Sequence, residues 1–283
     1  METNKIISSE SLEKCISDPN NRIIEISSEP ECKDYKQAHI PGAIVWFWKK
    51  SLWHKTDRQF TTNSEMAQQL GENGINQDQN IILYSDRVQY GTYAFWVLSM
   101  CGHKNIIMLD GSRTNWIEKE LQVTSEIRTF AKCEYLQQEE DFTSRVGRDN
   151  VKENLTNSNR ILLDVRSEEE FSGRRVKPEP GIDHGAERHG RIPGAKHLFY
   201  AELLNQNDTF KDATELETIL NSTGISVSSD KEIDKEIVVY CRLSHRATLV
   251  WFCLKYILGM DNVKIYDGSW TEWGSIVGFP IEN

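Results

Sequence analysis

Short apolar runs alternate with amphipathic segments along the chain. The runs "NIILY" and "EIVVY", at 80–84 and 236–240, have the length and the branched side chains of buried strands. The segments 60–75 and 210–225 have N-cap residues near their starts and a glycine near their ends, as amphipathic helices do. Strands that alternate with helices are typical of a mostly parallel sheet covered by helices. The pattern therefore predicts an α/β fold.

The order of these patterns occurs twice. "RIIEIS" from Arg22 returns as "RILLDV" from Arg160, and "AHIPGAIVWFW" from Ala38 returns as "GRIPGAKHLFY" from Gly190. Each copy ends with an apolar run, an Asp-Gly turn and a tryptophan. An internal repeat of this length predicts two domains of one fold, each a mostly parallel sheet flanked by helices.

The domain boundaries follow from the repeat. The chain has 283 residues, which is long enough for two domains of ordinary size. We assign the first domain to 1–125 and the second to 151–283. The charge-rich stretch 126–150 has no counterpart in the repeat. We therefore predict that this stretch is a linker between the domains.

Composition narrows the class of protein. With 38% apolar residues, 27% charged residues and eight tryptophans, the chain can bury two hydrophobic cores. Its formal net charge of -10 argues against a general surface for nucleic acid or anionic membranes, so any anion site must be local. The first residues lack the apolar segment of a signal peptide, and no stretch reaches the about 18 apolar residues of a membrane span. We expect a cytoplasmic monomer that binds neither nucleic acid nor membrane.

One of the six cysteines stands apart from the others. No C-x-x-C pair and no paired Cys/His spacing occurs, so we predict no metal site and no other cofactor. Cys241 opens the loop "CRLSHR", directly after the strand "EIVVY" and before a helix predicted at 247–258. We interpret the others as bystanders or packing residues: Cys15, Cys32, Cys101, Cys133 and Cys253.

The loop that begins at Cys241 surrounds the thiol with cations. In open α/β sheets, ligand sites lie beyond the carboxyl ends of strands, where the next helix points its N-terminus at the ligand. Backbone N–H groups, the helix dipole and the side chains of Arg242, His245 and Arg246 would stabilise a thiolate, which is the nucleophilic form of cysteine. The alternatives are that Cys241 is a small buried hydrophobe and that Arg246 pairs with a nearby carboxylate.

The length of the loop indicates which anion it holds. Four residues separate Cys241 from Arg246, one fewer than in the C-x5-R loop of phosphatases, and the tighter ring suits a single sulfur atom on the thiolate. The loop, the "IPGA" turns at 40–43 and 192–195, "LLDVRSEEEF" from Leu162 and "YDGSWTEW" from Tyr266 together resemble the motifs of rhodaneses. Nearly the whole chain resembles a tandem-domain thiosulfate sulfurtransferase of the prokaryotic type.

This resemblance implies a two-step sulfur relay. The Cys241 thiolate would attack the outer sulfur of thiosulfate, release sulfite and carry a persulfide, from which cyanide or a small thiol or thioredoxin-type acceptor takes the sulfur. The rest of the loop would bind the donor: Arg242, Leu243, Ser244, His245 and Arg246. Asp164 and Arg166 would support the loop, with direct substrate contact as the alternative.

Two positions depart from the pattern of an active rhodanese domain. When Tyr84 is aligned with Tyr240, Ser85 falls on Cys241, and the first loop is one residue shorter than the second. The first domain therefore carries no persulfide and serves as a scaffold. Where the animal enzymes have an arginine that binds the donor, this chain has Glu170, which removes one cation.

Three other functions stay open. 3-Mercaptopyruvate sulfurtransferases carry a glycine-rich, uncharged loop, from which "CRLSHR" departs by three basic side chains, so thiosulfate is the preferred donor. A non-catalytic persulfide carrier or sensor would load Cys241 without repeated turnover. A phosphatase or arsenate reductase would use the same thiolate.

Two segments outside the loop also have more than one interpretation. The aromatic run 46–53 is either core or the lining of a cleft between the domains. The cluster of His184, Glu187 and His189 fits a solvated turn better than a metal site.

Overall fold

The computed structural model describes residues 5–177, 183, 185–226 and 235–283. The chain forms two compact units, Met1–Phe142 with Gln206–Thr209, and Thr143–Asn205 with Phe210–Asn283. Each unit is built on its own five-stranded sheet. In the described part of the chain, no helix has both the length and the apolar character needed to cross a membrane.

The first unit is a parallel sheet with helices around it. Its strands are β1 (Ile6–Ile7), β2 (Asn21–Ser27), β3 (Ile44–Phe47), β4 (Asn80–Ser85) and β5 (Ile106–Leu109). Its helices are α1 (Ser9–Cys15), α2 (Lys33–Gln37), α3 (Trp48–Leu52), α4 (Asn63–Glu72), α5 (Val88–Met100) and α6 (Arg113–Glu118). The strand order is β1-β5-β4-β2-β3, and every pair of neighbours is parallel. The central strands β2 and β4 are buried along most of their length, as strands covered on both faces are.

The second unit repeats this arrangement. Its strands are β6 (Arg145–Val146), β7 (Arg160–Asp164), β8 (Lys196–His197), β9 (Glu236–Tyr240) and β10 (Val263–Tyr266). Its helices are α7 (Arg148–Glu153), α8 (Glu168–Phe171), a 3-10 helix (Tyr200–Leu203), α9 (Ala213–Ser222), α10 (His245–Phe252), a π-helix (Cys253–Ile257) and α11 (Ser269–Trp273). The parallel order β6-β10-β9-β7-β8 matches that of the first sheet, which confirms the predicted α/β repeat.

Equivalent helices of the two units begin with the same capping arrangement. The Thr62 hydroxyl caps α4, and the Glu65 side chain reaches back to the Thr62 backbone. Asp212 and Glu215 form the same capping box at the start of α9. A capping box satisfies two backbone N–H groups that the first helical turn leaves without partners. This local chemistry explains why both helices could be predicted from the sequence.

The strand register corrects one alignment made from the sequence. Matching "RIIEIS" with "RILLDV" letter by letter is wrong by one residue, because Glu25 pairs with Tyr84 across the sheet whereas Asp164 pairs with Tyr240. Glu25 and Asp164 therefore occupy equivalent positions, and both are fully buried. The letter match followed two identical arginines, but the buried face of each strand determines its register.

The tyrosines that define this register have the same partner in each unit. The hydroxyl oxygen of Tyr84 accepts a hydrogen bond from the N–H of Ile40, at 3.2 Å. The hydroxyl oxygen of Tyr240 accepts one from the N–H of Ile192, also at 3.2 Å. Each "IPGA" turn is thus fixed to the strand that ends beside the loop of its unit. The turns have a structural role that the repeat alone did not show.

The predicted linker crosses the boundary between the units. Its first part packs on the first unit: the Cys133 N–H donates to the Gly71 carbonyl at 3.0 Å, and the Arg22 guanidinium lies 4.2 Å from the centre of the Phe130 ring. A Cβ atom at Gly71 would lie 2.6 Å from the Cys133 carbonyl oxygen, so only glycine allows this close approach. The last residues of the predicted linker form β6 and the start of α7 in the second unit.

Glu25 is a buried carboxyl group in the first unit. Its Oε1 accepts a hydrogen bond from Arg113 Nη1 at 2.5 Å, while its Oε2 has no hydrogen-bond partner among the described residues. Burial raises the pKa of the Glu25 carboxyl to about 7 against the attraction of Arg113. The folded protein therefore holds this proton at pH values where an unfolded glutamate has released it.

We expect the stability of the first unit to fall as pH rises from about 4.5 to about 7. The unfolded state releases the Glu25 proton first in this window, so deprotonation favours unfolding, by on the order of 2–3 kcal/mol over the whole window. Urea unfolding at a series of pH values measures the slope. Glu25→Gln should flatten it, and an unchanged slope in this variant would contradict the assignment to Glu25.

Candidate active site

The loop from Cys241 to Arg246 connects β9 to α10. The strand ends at Tyr240 as predicted, and the helix begins at His245, two residues earlier than predicted. After Phe252 the helix continues as a π-helix to Ile257, close to the predicted end. Ser244, the N-cap residue, has a φ of 75°, a backbone conformation that is uncommon for residues other than glycine. This residue makes the sharp turn that brings the end of the strand next to the start of the helix.

Cys241 is fixed by the start of α11. Its N–H donates to Ser269 Oγ at 3.2 Å, and the Ser269 hydroxyl donates to the Tyr266 carbonyl at 2.9 Å. The Cys241 carbonyl accepts from the Trp270 N–H at 2.9 Å. The side chain and backbone of Cys241 are almost fully buried, with 1% exposure. Ser269 lies within the motif "YDGSWTEW", but its contact with Cys241 was not predicted from the sequence.

Arg242 is anchored through its backbone. Its carbonyl accepts from the Thr271 N–H at 3.2 Å and from the Thr271 hydroxyl at 2.8 Å. Its guanidinium lies against Gly185, where an added Cβ would come within 2.8 Å of Nη1. The side chain of Arg242 is partly buried. The backbone of Arg242 is therefore fixed, while the residue as a whole stays partly exposed.

Arg246 forms a two-point ion pair with Glu170. Arg246 Nη1 donates to Glu170 Oε2 at 2.6 Å, and Nη2 donates to Oε1 at 2.9 Å. The Glu170 side chain is fully buried, and it also accepts from the Ser167 N–H at 3.1 Å. The alternative in which Arg246 pairs with a carboxylate is thus the observed one. The sequence analysis expected Glu170 only to replace a donor-binding arginine, whereas the structure shows that it also pairs with Arg246.

The electrostatics of Arg246 reflect its pairing with Glu170. Burial works to lower the pKa of the Arg246 guanidinium, but its hydrogen bonds to Glu170 and the negative charge of that carboxylate outweigh the effect of burial. The pKa therefore lies above its ordinary value. The centre of the Tyr200 ring lies 5.8 Å from the guanidinium carbon of Arg246, so the ring also contacts this cation. Arg246 remains a fixed cation near the thiol.

The remaining loop residues lie between these two arginines. Ser244 and His245 are buried, and Leu243 is partly buried. The Ser244 hydroxyl donates to the Leu243 carbonyl, and the His245 carbonyl accepts from the Thr248 hydroxyl at 2.8 Å. The structure thus brings all six residues of the predicted site together in one turn. Their roles in binding a donor stay a prediction.

Asp164 and Arg166 form a buried pair beneath the loop. Arg166 Nη2 donates to Asp164 Oδ2 at 2.6 Å and to the Gly190 carbonyl at 2.8 Å. Its guanidinium carbon lies 4.7 Å from the Trp270 ring. Burial opposes the charge on Arg166, but Asp164 outweighs it and keeps the pKa of the guanidinium above its ordinary value. Both side chains are fully buried, which suits the predicted supporting role.

Arg188 is a second supporting arginine, which the sequence analysis missed. Its carbonyl accepts from Trp270 Nε1 at 3.0 Å. Its guanidinium donates to four backbone carbonyls at the end of α11 and after it, those of Trp273, Gly274, Ile276 and Phe279. The segment that fixes Cys241 is therefore itself held from the other side. These contacts could not be predicted from a local sequence pattern, because the partners of Arg188 lie 82 or more positions away in the chain.

The equivalent loop of the first unit has a different interior. Ser85 is fully buried, and its hydroxyl donates to the Arg87 carbonyl at 2.6 Å and accepts from the Gly91 N–H at 3.2 Å. Helix α5 begins at Val88, four positions after Tyr84, whereas α10 begins five positions after Tyr240. The predicted difference of one residue is confirmed. Ser85 has no sulfur atom that could carry a persulfide. Its hydroxyl is buried and hydrogen-bonded within the loop, which is a structural role.

Cys101 is unsuited to replace Cys241. It lies at the end of α5 with 8% exposure. Burial, together with the negative charge of Glu140, raises the pKa of the Cys101 thiol to about 12. The thiolate form is therefore scarce at neutral pH.

We expect Cys101→Ser to keep sulfurtransferase activity within about twofold of the wild type, because the substitution removes no nucleophile. Steady-state turnover and persulfide formation, followed by mass spectrometry, measure this. If a folded Cys101→Ser protein fails to form a persulfide, the assignment of the first unit as a scaffold is wrong.

The cluster of His184, Glu187 and His189 lies only partly within the described residues. His184 lies outside the described residues, and His189 Nδ1 lies 2.9 Å from the Gly173 carbonyl oxygen. The part of the chain with assigned positions contains no group of three or more His, Cys, Asp or Glu side chains that could hold a metal ion.

Comparison with known proteins gives the same family for both units. A family model described as "Rhodanese-like domain" matches residues 8–119 and 148–276. A protein of Haloferax volcanii named "Putative thiosulfate sulfurtransferase" is 37% identical over 266 residues, covering 94% of this chain and 90% of the relative. The sulfur carrier protein TtuD of Thermus thermophilus is 36% identical over 280 residues, covering 98% of this chain and 95% of TtuD.

Solved structures share the fold. An EanB variant that carries a cysteine persulfide, with ergothioneine, matches with a TM-score of 0.87 and 20% identity, covering 100% of this chain and 71% of EanB. SseA from Escherichia coli, described as a 3-mercaptopyruvate sulfotransferase, matches with a TM-score of 0.79 and 24% identity, covering 95% of this chain and 99% of SseA. At these identities the structures bear on the fold alone.

Proposed function

We propose, from the premise that this chain belongs to the rhodanese-like family of sulfurtransferases, that it transfers sulfane sulfur from thiosulfate through a persulfide on Cys241. The observation that carries the proposal is the position of Cys241. It is the first residue of the turn between β9 and α10. The backbone N–H groups of this turn, the N-terminus of α10 and the side chains of Arg242 and Arg246 would together favour an anion at this position.

The proposed reaction has two balanced steps. The Cys241 thiolate attacks the outer sulfur of thiosulfate, the sulfur–sulfur bond of the donor breaks, and sulfite leaves with the electron pair. The enzyme then holds a persulfide anion. Cyanide, or a thiol acceptor, attacks the outer sulfur of the persulfide and leaves as thiocyanate or as a new persulfide, and the Cys241 thiolate returns. Neither step needs an external oxidant or reductant.

The loop residues divide this work. The fixed N–H groups and the dipole of α10 would stabilise the anionic persulfide. Since Glu170 already neutralises Arg246, we assign donor binding mainly to Arg242 and His245, with Arg246 fixing the helix end of the loop. Leu243 and Ser244 would contact the donor through their backbone. This division is more specific than the assignment of all three cations to the donor.

Thiosulfate is the donor we propose, because a dianion suits the basic loop. Turnover with cyanide as acceptor, measured in parallel with thiosulfate and 3-mercaptopyruvate, tests the choice. Faster turnover with thiosulfate, by about tenfold or more in kcat/KM, is expected. A preference for 3-mercaptopyruvate would overturn the choice of donor but would leave the persulfide on Cys241 in place.

A persulfide carrier is the second candidate function, and the name of the 36% identical relative TtuD favours it. A carrier would accept one sulfur atom from a donor and show no turnover with cyanide or small thiols. A phosphatase would instead hydrolyse an aryl phosphate, and we expect no such activity.

A further inference from the structure

The first unit contains a pocket that lies apart from the Cys241 loop. Its volume is about 730 Å³, and residues of this unit alone line it. The walls come from the end of β3, from α3, from the segment 53–61 and from α4. The aromatic run 46–53 therefore has two parts: Trp46 is buried in the core with 3% exposure, whereas Phe47 and Trp53 line the pocket.

Cations outnumber anions in the lining of this pocket. Lys49, Lys50, Lys55 and Arg58 contribute four positive charges, and two glutamates contribute two negative charges. The whole chain has a net charge of -10, so a net positive lining departs from the rest of the protein. Within the described parts of the chain, none of the four cations is in an ion pair. They are available to an anion that enters the pocket.

The two glutamates of the lining already have partners. Glu65 accepts hydrogen bonds from the N–H and the hydroxyl of Thr62, at 3.0 Å and 2.9 Å. Glu72 accepts from Gln68 Nε2 at 3.1 Å. Hydrogen bonds from the Thr62 backbone hold the pKa of the Glu65 carboxyl below its ordinary value. The capping box thus fixes the Glu65 carboxylate at the start of α4, where it stabilises the first turn of the helix.

An anchored aromatic ring orients two of the cations. Trp53 Nε1 donates to the Tyr93 hydroxyl at 2.7 Å, which fixes the indole. Lys49 Nζ and Arg58 Cζ lie 5.5 Å and 5.4 Å from the ring centre of Trp53. Arg58 also has a φ of 52°, a conformation that non-glycine residues rarely adopt and that is enriched at ligand sites. The basic wall is therefore partly organised before a ligand arrives.

We propose that this pocket binds an organic polyphosphate of the size of a nucleoside diphosphate. Several ammonium groups and one guanidinium suit an anion with more than one phosphate group. A volume of about 730 Å³ exceeds the space that a bare inorganic anion fills, and Phe47 and Trp53 supply an apolar surface for an organic part. The scaffold unit would then have a ligand of its own, in addition to the sulfur chemistry of the second unit.

Isothermal titration calorimetry with the full chain at low ionic strength tests this proposal, with ADP as the probe. ADP should bind more tightly than AMP, which has fewer charges, and more tightly than pyrophosphate, which has no organic part. Lys49→Glu/Lys50→Glu should weaken ADP binding by about tenfold or more, because two attractive charges become repulsive.

A matched control is available on the same unit. Lys33 and Lys36 are exposed on α2, so Lys33→Glu/Lys36→Glu makes the same change in net charge outside the pocket. It should leave ADP binding within about twofold of the wild type. The proposal is overturned if ADP shows no binding at about 1 mM, if citrate binds as tightly as ADP, or if folded Lys49→Glu/Lys50→Glu protein binds ADP like the wild type.

The proposed sulfur transfer can be tested separately from this pocket. ADP titrations of the Cys241→Ser protein should give the same binding constant as the wild type, because the pocket lies wholly in the other unit. Loss of ADP binding in this variant would contradict the proposed pocket. Failure of ADP to bind the wild type would leave the sulfur transfer unaffected.

Discussion

Cys241→Ser is expected to reduce thiosulfate:cyanide sulfurtransferase activity by about 10⁴-fold or more, to the background rate. Serine preserves the approximate shape of the buried side chain but provides no sulfur atom that can form a persulfide, so both steps of the relay lose their shared intermediate. Thiocyanate formation measures turnover. Mass spectrometry of protein treated with thiosulfate should show one added sulfur atom in the wild type and none in Cys241→Ser.

Two observations separate this result from a loss of folding. Circular dichroism and the unfolding midpoint of Cys241→Ser should stay close to those of the wild type, since the contacts to Ser269 and Trp270 run through the Cys241 backbone. Cys133→Ser is the matched control, because Cys133 is the exposed cysteine of the chain and its substitution should leave persulfide formation intact. Persulfide that persists in folded Cys241→Ser protein would place the sulfur on another cysteine.

Arg246→Met is expected to lower the free energy of unfolding of the second unit by about 3–5 kcal/mol. The substitution leaves the fully buried Glu170 carboxylate without its two charged hydrogen bonds, and an uncompensated buried charge is strongly unfavourable. Hydrogen exchange of the α10 amides, measured across a urea series, reports the stability of this unit. The KM for thiosulfate should rise as well, because Arg246 then no longer balances the negative charge of Glu170 beside the loop.

A double-mutant cycle shows whether the effect belongs to the pair. Glu170→Gln/Arg246→Met should be less destabilised than the sum of the two single variants, by about 0.5–3 kcal/mol. Arg148→Met provides a matched control in the same unit, because Arg148 pairs with Glu272 at 2.9 Å with about half of its side chain exposed. The loss for Arg148→Met should be far smaller than that for Arg246→Met, because solvent screens an exposed ion pair. Equal losses for Arg246→Met and Arg148→Met would show that the Glu170–Arg246 pair is not special.

The buried pair also refines the sulfur chemistry. Three basic residues in "CRLSHR" suggest a loop of high positive charge, but Glu170 balances Arg246 inside the protein. The field at Cys241 then depends on the backbone N–H groups, the start of α10, Arg242 and a neutral ion pair. Such an arrangement can hold an anion without leaving an unpaired cation buried when the donor is absent.

Several features of this protein could be determined from the sequence alone. The two parallel α/β units, the capped helices α4 and α9, and the position of Cys241 between a strand and a helix are all encoded within short stretches. Hydrophobic periodicity, N-cap residues and glycines act over a few neighbouring positions, so each leaves a local signal. The repeat then showed that Ser85 takes the place of the cysteine in the first unit.

Only the tertiary structure decided which distant residues meet. Ser269 bonds the Cys241 N–H from 28 positions away, and Glu170 binds Arg246 from 76 positions away. Two further features also depend on contacts between distant residues. They are the one-residue shift between Glu25 and Asp164 and the packing of 126–142 on the first unit. Such contacts depend on strand order, register and loop closure, which many segments determine together, and no short stretch of sequence carries them. The sequence therefore determined the fold and the position of the proposed nucleophile Cys241, whereas the residues that fix Cys241 could be identified only from the arrangement of the strands in the folded chain.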